Sequence, residues 1–150
     1  EQKTLLLALA AASTKSVTTG YRLALSWPAG DKKELAAELF RGEHPMKQAR
    51  LPLASPPRRV RLERLGPHVL ASVNDEQVLT FADPAPLAGT RAAFAVRGLT
   101  VPKEDVKVFS DTVQVYTFSR AAMMLPYASA ASSRQRFARA WSSNRSRRAA

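Results

Sequence analysis

From residue 21 to residue 118 apolar and polar residues change places at every second position, in runs cut short by turn formers, and a chain so patterned has few folds open to it. Tyr21, Leu23, Leu25 and Trp27 alternate with Arg22, Ala24 and Ser26, the two-residue period of a strand with one buried face. Arg59, Val60, Arg61, Leu62, Glu63 and Arg64 alternate in the same way, Gly66-Pro67 turns the chain, and His68–Val73 reads as the next strand. Asn74-Asp75 follows at once. Both residue types tolerate the left-handed backbone of a tight hairpin, so residues 69–73 are expected to fold back on residues 77–81. The segment Glu34–Arg41 is rich in helix formers but short and bounded by turn signals, which suits a strand better. Residues 42–58 contain Pro45, Pro52, Pro56 and Pro57; with so many amide donors missing they read as a long connection or an edge. Residues 91–96, 106–109 and 112–118 are further short strands, separated by Gly98, Pro102 and Asp111. No apolar stripe of helical period runs beyond a few turns, so the expected class is all-β, an antiparallel sandwich or barrel.

The 150 residues are enough for one domain with a modest core. There is no Cys, which excludes disulfides, thiolate metal sites and cysteine nucleophiles; His44 and His68 alone make an imidazole-rich zinc site a poor fit. The formal charge of +11 divides unevenly. Residues 1–118 carry 16 Lys and Arg against all 12 acids, a net of +4, whereas residues 119–150 carry 7 Arg and no acid. The body is therefore an ordinary solvated surface, and the polyanion signal belongs to the tail. That tail holds 9 Ala, 7 Ser and 7 Arg in 32 residues, and three readings stand for it: a disordered cationic arm, a short helix around residues 134–141, or sequence foreign to the fold. Near the start, Leu5 to Ala12 are eight apolar residues in a row, too few to span a bilayer. They suit a buried strand better than a secretory segment, because only Lys3 supplies a basic flank.

The residues 19–23 (Thr-Gly-Tyr-Arg-Leu), 60–66 (Val-Arg-Leu-Glu-Arg-Leu-Gly), 70–75 (Leu-Ala-Ser-Val-Asn-Asp), 78–84 (Val-Leu-Thr-Phe-Ala-Asp-Pro) and 86–89 (Pro-Leu-Ala-Gly) together give the chain a family likeness. It resembles the concanavalin A-like, laminin G-like jelly rolls, and among them bacterial domains related to the 3-keto-disaccharide hydrolase family, a domain of unknown function. The resemblance covers roughly residues 21–118. It implies a jelly-roll β-sandwich over residues 1–118 with further strands before residue 1, and residues 119–150 as a basic C-terminal tail. It also implies an exported or cell-surface setting, with neighbouring domains of a longer polypeptide as partners. Enzyme-like members carry Asn-Ser-Gly before the strand equivalent to Tyr21–Trp27; this chain has Thr18-Thr19-Gly20 there, which points away from catalysis.

Tyr21 and Trp27 offer flat apolar faces for sugar rings, although their phase with Leu23 and Leu25 places them as readily in the core. Asn74, Asp75, Glu76 and Asp83 bring oxygen atoms to loops, the donor type that orients hydroxyls or holds calcium, while turn chemistry alone accounts for Asn74 and Asp75. Tyr21, Trp27, Asn74, Asp75 and Asp83 are accordingly the candidate carbohydrate-binding set; no residue is identified as catalytic, and no cofactor or metal is expected, although such donors are the type a hard cation such as calcium needs. Glu34 and Glu38 on a strand would stand about 13 Å apart, beyond glycosidase spacing. His68 lacks an orienting partner in the sequence. Arg58, Arg59, Arg61 and Arg64 read as edge-strand protection in preference to a binding stripe. In the tail, Arg134, Arg136, Arg139, Arg145, Arg147 and Arg148 are the candidate anion-binding residues. The leading expectation is a noncatalytic carbohydrate-recognition or structural module. A glycoside-processing hydrolase domain and a nucleic-acid or anion binder acting through the tail are its rivals.

Overall fold

The computed structural model describes residues 2–13, 17–27, 34–52, 57–116 and 119–120. Its strands, in chain order, are β1 (Lys3–Ala11), β2 (Tyr21–Trp27), β3 (Glu34–Arg41), β4 (His44–Pro52), β5 (Arg59–Leu65), β6 (His68–Val73), β7 (Glu76–Ala82), β8 (Arg91–Arg97), β9 (Leu99–Thr100), β10 (Val106–Phe109), β11 (Thr112–Tyr116) and β12 (Ser119–Arg120). Single 3₁₀ turns stand at Val17–Thr19 and Lys103–Asp105. One sheet runs β4-β3-β2-β1-β8 and the other β10-β11-β5-β6-β7, every pairing antiparallel, with a small β12-β9 ladder beside them. The fold is an all-β, sandwich-like pair of sheets. Among the described residues no helix is long and apolar enough to cross a membrane.

Alternation decides which face is buried. Leu5, Leu7, Leu9, Tyr21, Leu23, Leu25, Leu35, Ala37, Leu39, Phe94 and Val96 project from the first sheet into one core, and Val60, Leu62, Val69, Ala71, Val73, Leu79, Val106, Val113 and Val115 meet them from the second. Each large side chain so buried contributes about 1.5–3 kcal/mol, and nothing else in a chain without cysteines bonds the layers covalently. The hairpin expected at Asn74-Asp75 is present: both residues have positive φ, at 53° and 68°, and Val73 pairs with Glu76 across a two-residue loop. The proline-bearing segment is an edge, since β4 is the outermost strand of its sheet, with Pro45 and Pro52 at ladder ends where a missing donor is tolerated.

Two features depart from the sequence reading. β5 is the middle strand of the second sheet, between β11 and β6, so its arginines do not guard an edge. Arg59 and Arg61 instead bind the Asp75 carboxylate at 2.8 and 3.2 Å, and Arg61 lies 3.5 Å from Glu63. The second departure is a bulge in β1. Its register with β8 breaks between Ala8 and Ala11, and Ala10 sits at φ 53°, a left-handed conformation that costs a non-glycine residue about 1–2 kcal/mol. Two glycines clamp that bulge: a Cβ on Gly20 would lie 2.8 Å from the Ala11 nitrogen, and one on Gly89 would lie 2.6 Å from the Ala11 carbonyl carbon. Ser119 and Arg120, read from sequence as the start of the tail, pair with Thr100 and Leu99; the six candidate anion-binding arginines from Arg134 to Arg148 lie outside the described residues.

Candidate functional site

The loop from residue 83 to residue 89 carries the chain from β7 in the second sheet to β8 in the first, and polar side chains fasten it at each step. Asp83 is 3% exposed. Its Oδ2 accepts hydrogen bonds from the Tyr21 hydroxyl at 2.6 Å and from Arg41 Nε at 2.7 Å, and its Oδ1 accepts from the Ala85 amide at 2.9 Å. The Tyr21 oxygen in turn accepts from the Leu87 amide at 3.0 Å, Arg41 Nη2 donates to the Ala85 carbonyl at 2.9 Å, and Arg64 donates to the Leu87 carbonyl. Tyr21 is fully buried. Its ring belongs to the core and its hydroxyl to this network, so of the two roles the sequence allowed it the structure shows the core one. The clustering of Tyr21, Arg41 and Asp83 was not legible beforehand, because Arg41 closes β3 and the three meet across 62 positions of chain.

Burial opposes the Asp83 charge, but hydrogen bonds from Tyr21, Arg41 and the Ala85 amide, with the Arg41 charge beside them, outweigh it and hold the carboxyl below its ordinary 3.8. The Tyr21 hydroxyl is pushed above 10.0, first by burial and then by its bond to Asp83. On acidification the unfolded chain therefore binds the Asp83 proton first. The stabilisation is complete above pH 3.8 and is lost as pH falls through the lower folded-state value; Tyr21 contributes fully below pH 10.0 and loses its share as pH rises through its raised value. Thermal midpoints followed against pH are expected to fall less steeply on the acid side for Asp83→Asn than for the parent, and parallel acid limbs would show that Asp83 does not supply that dependence.

The other candidate residues stand apart from this network. Trp27 is at the far end of β2 from Tyr21, about 20 Å along the strand, half-buried against the core. Asn74 and Asp75 lie beyond the opposite end of β7 from Asp83, about 23 Å away along the chain. Asn74 Oδ1 accepts the amides of Arg58 and Arg59 at 2.7 and 3.2 Å, and Asp75 is engaged by Arg59 and Arg61. The structure thus does not bring Tyr21, Trp27, Asn74, Asp75 and Asp83 into one site. Among the described residues, no three of the His, Asp and Glu side chains are grouped to hold a metal ion.

A different surface emerges once the registers are fixed. On the non-core face of the first sheet the strands present three cross-strand rows, in the order β4, β3, β2, β1, β8. They are Arg50, Ala36, Ser26, Thr4, Arg97; then Gln48, Glu38, Ala24, Leu6, Ala95; then Pro45, Phe40, Arg22, Ala8, Ala93. Ala8, Ala93 and Ala95 are buried while Glu38, Gln48 and Arg50 are exposed, so the accessible part lies over β2, β3 and β4. There, short Ala24, Ser26 and Ala36 side chains are flanked by taller polar ones. The Arg22 guanidinium carbon stands 4.3 Å above the centroid of Phe40. Among the described residues Arg22, Glu38, Arg50 and Arg97 enter no ion pair, whereas Arg59, Arg61 and Arg64 on β5 all do. Comparison with protein-family models, with curated proteins and with solved structures finds no match to this chain.

Proposed function

We propose that this chain is a noncatalytic carbohydrate-recognition module, a jelly-roll sandwich of the concanavalin A-like, laminin G-like kind within a larger exported protein, and that it takes its glycan across the outer face of β2, β3 and β4. The observation that carries the reading is the state of that face: small side chains at its centre, and around them exposed Glu38, Gln48 and Arg50, the two charged ones in no ion pair among the described residues. A flat polyhydroxyl ligand needs such a floor, with polar groups of both signs to orient its hydroxyls. The size argues in the same direction. Over β2, β3 and β4 the three rows span about 10 Å across the strands and about 14 Å along them, well under the roughly 800 Å² per partner of a stable protein interface.

The test is a glycan array probed with the intact chain, followed by calorimetric titration of any hit. The double variant Glu38→Ala, Gln48→Ala is expected to weaken that binding at least tenfold, about 1.4 kcal/mol, with an unchanged thermal midpoint because neither residue is buried. Absence of any glycan binding would leave a structural module in its place, and release of sugar from a bound chain would favour a hydrolase.

A further inference from the structure

Resting on the carbohydrate reading just given, we infer that the glycan is acidic and that Arg22 is the residue that reads its carboxylate. Arg22 stands on the third row between Ala8 and Phe40, with Ala24 as its same-face neighbour on β2 and Gly20 just ahead of the strand. All four of these neighbours are apolar or without a side chain, and the guanidinium is the one charged group among them. What holds it is the Phe40 ring, 4.3 Å from the guanidinium carbon. Stacking engages the flat face of the group and leaves the donors of its edge unengaged, which is the geometry in which arginine meets a planar carboxylate through two hydrogen bonds.

An internal carboxylate was within reach. Glu38 pairs with Ala24, two residues along β2 from Arg22 and on the neighbouring strand, a diagonal of about 7–8 Å that long side chains bridge readily. Among the described residues the pair does not form, and Arg22 Nε, itself buried, has no hydrogen-bond partner, which leaves the two terminal nitrogens of the guanidinium to meet a carboxylate end-on. Arg41 is satisfied by Asp83, Arg64 by Asp111, and Arg59 and Arg61 by Asp75; among the described residues Arg50 and Arg97, on the same face as Arg22, likewise enter no ion pair, but Arg22 alone is stacked on a ring. Arg22 is stacked, oriented and uncompensated beside a floor of Ala24 and Ala36 on which a sugar ring can lie. A neutral sugar gains only ordinary hydrogen bonds there, whereas a uronate adds a charge-assisted pair worth more than its neutral counterpart.

The experiment titrates the intact chain with acidic oligosaccharides, with the same oligosaccharides as methyl esters, and with neutral ones. The ester keeps the ring and linkage and removes only the charge. Expected is binding of the acid form at least tenfold tighter than of the ester, a difference of about 1.4 kcal/mol. Arg22→Gln should abolish that preference, and Arg22→Lys should restore part of it. Equal affinity for acid and ester, or a preference that survives Arg22→Gln, overturns the inference and leaves the carbohydrate reading standing; binding to no member of the set overturns both.

Discussion

Gly89→Ala is expected to destabilise the fold by about 3 kcal/mol or more, the upper range for forcing an atom into a packed site. The added Cβ would meet backbone, with the Ala10 carbonyl oxygen and carbon and the Ala11 carbonyl carbon all inside contact distance. A side chain in that place can rotate away; a carbonyl inside a ladder cannot. Gly20→Ala attacks the same bulge from the other side, against the Leu9 carbonyl and the Ala11 nitrogen, and is expected to cost a similar amount. Gly66→Ala is the control, because its turn is open, with nothing within 4 Å, and only its φ of 60° opposes a side chain. That variant should lose about 1–2 kcal/mol. Urea unfolding of the three proteins ranks them, and a Gly89→Ala protein no less stable than Gly66→Ala would refute the clamped bulge.

The contrast between those glycines marks the limit of what the sequence carries. Gly66 announces itself, standing beside a proline between two alternating runs, and the Asn74-Asp75 hairpin does so too, since its chemistry and its geometry are local. Gly20 and Gly89 look like ordinary punctuation. Their role depends on a bulge at Ala10, inside a run of leucines and alanines that gives no local sign of breaking register, and on two distant segments meeting there. The strand in Glu34–Arg41 was legible against its helix propensity because length and turn signals outweighed it. The place of β5 within its sheet was not, since alternation fixes which face of a strand is wet and says nothing about how many neighbours it has.

The candidate sites follow the same division. Asp83 reads as a loop carboxylate because Pro84 and Pro86 follow it, and the partners that bury it, Tyr21 and Arg41, are 62 and 42 positions away. Asn74 and Asp75 read as oxygen donors and are donors' partners in fact, but for Arg58, Arg59 and Arg61. Arg22, Gln48 and Arg50 carry no signal as separate residues of alternating strands, and Glu38 is read only against Glu34. They share a surface only once the registers of β2 with β3 and of β3 with β4 are known, and a single-residue slip in either would send part of the set to the opposite face.

Asp83→Ala is expected to cost about 3 kcal/mol, because it removes a carboxylate that serves three donors in a nearly dry place. The Tyr21 hydroxyl suffers most: fully buried, it loses its acceptor while still accepting from the Leu87 amide. Arg41 suffers least, its side chain being 36% exposed and free to turn its charge to solvent. The Ala85 amide loses its partner as well, so the loop from residue 83 to residue 89 is left to its backbone acceptors and to the Leu87 amide on Tyr21, with no side chain binding Tyr21, Arg41 and Ala85 together. Asp75→Ala provides the comparison, since Asp75 also binds two arginines but is 57% exposed, and exposed pairs contribute roughly 0–1 kcal/mol. Combining Asp83→Ala with Tyr21→Phe tests the assignment directly. The phenylalanine has no hydroxyl to strand, so the double variant should be more stable than the sum of the two single losses implies, by roughly 1–2 kcal/mol. Strict additivity in chemical denaturation would mean that the Tyr21 hydroxyl and the Asp83 carboxylate stabilise the fold independently, contrary to the 2.6 Å bond between them.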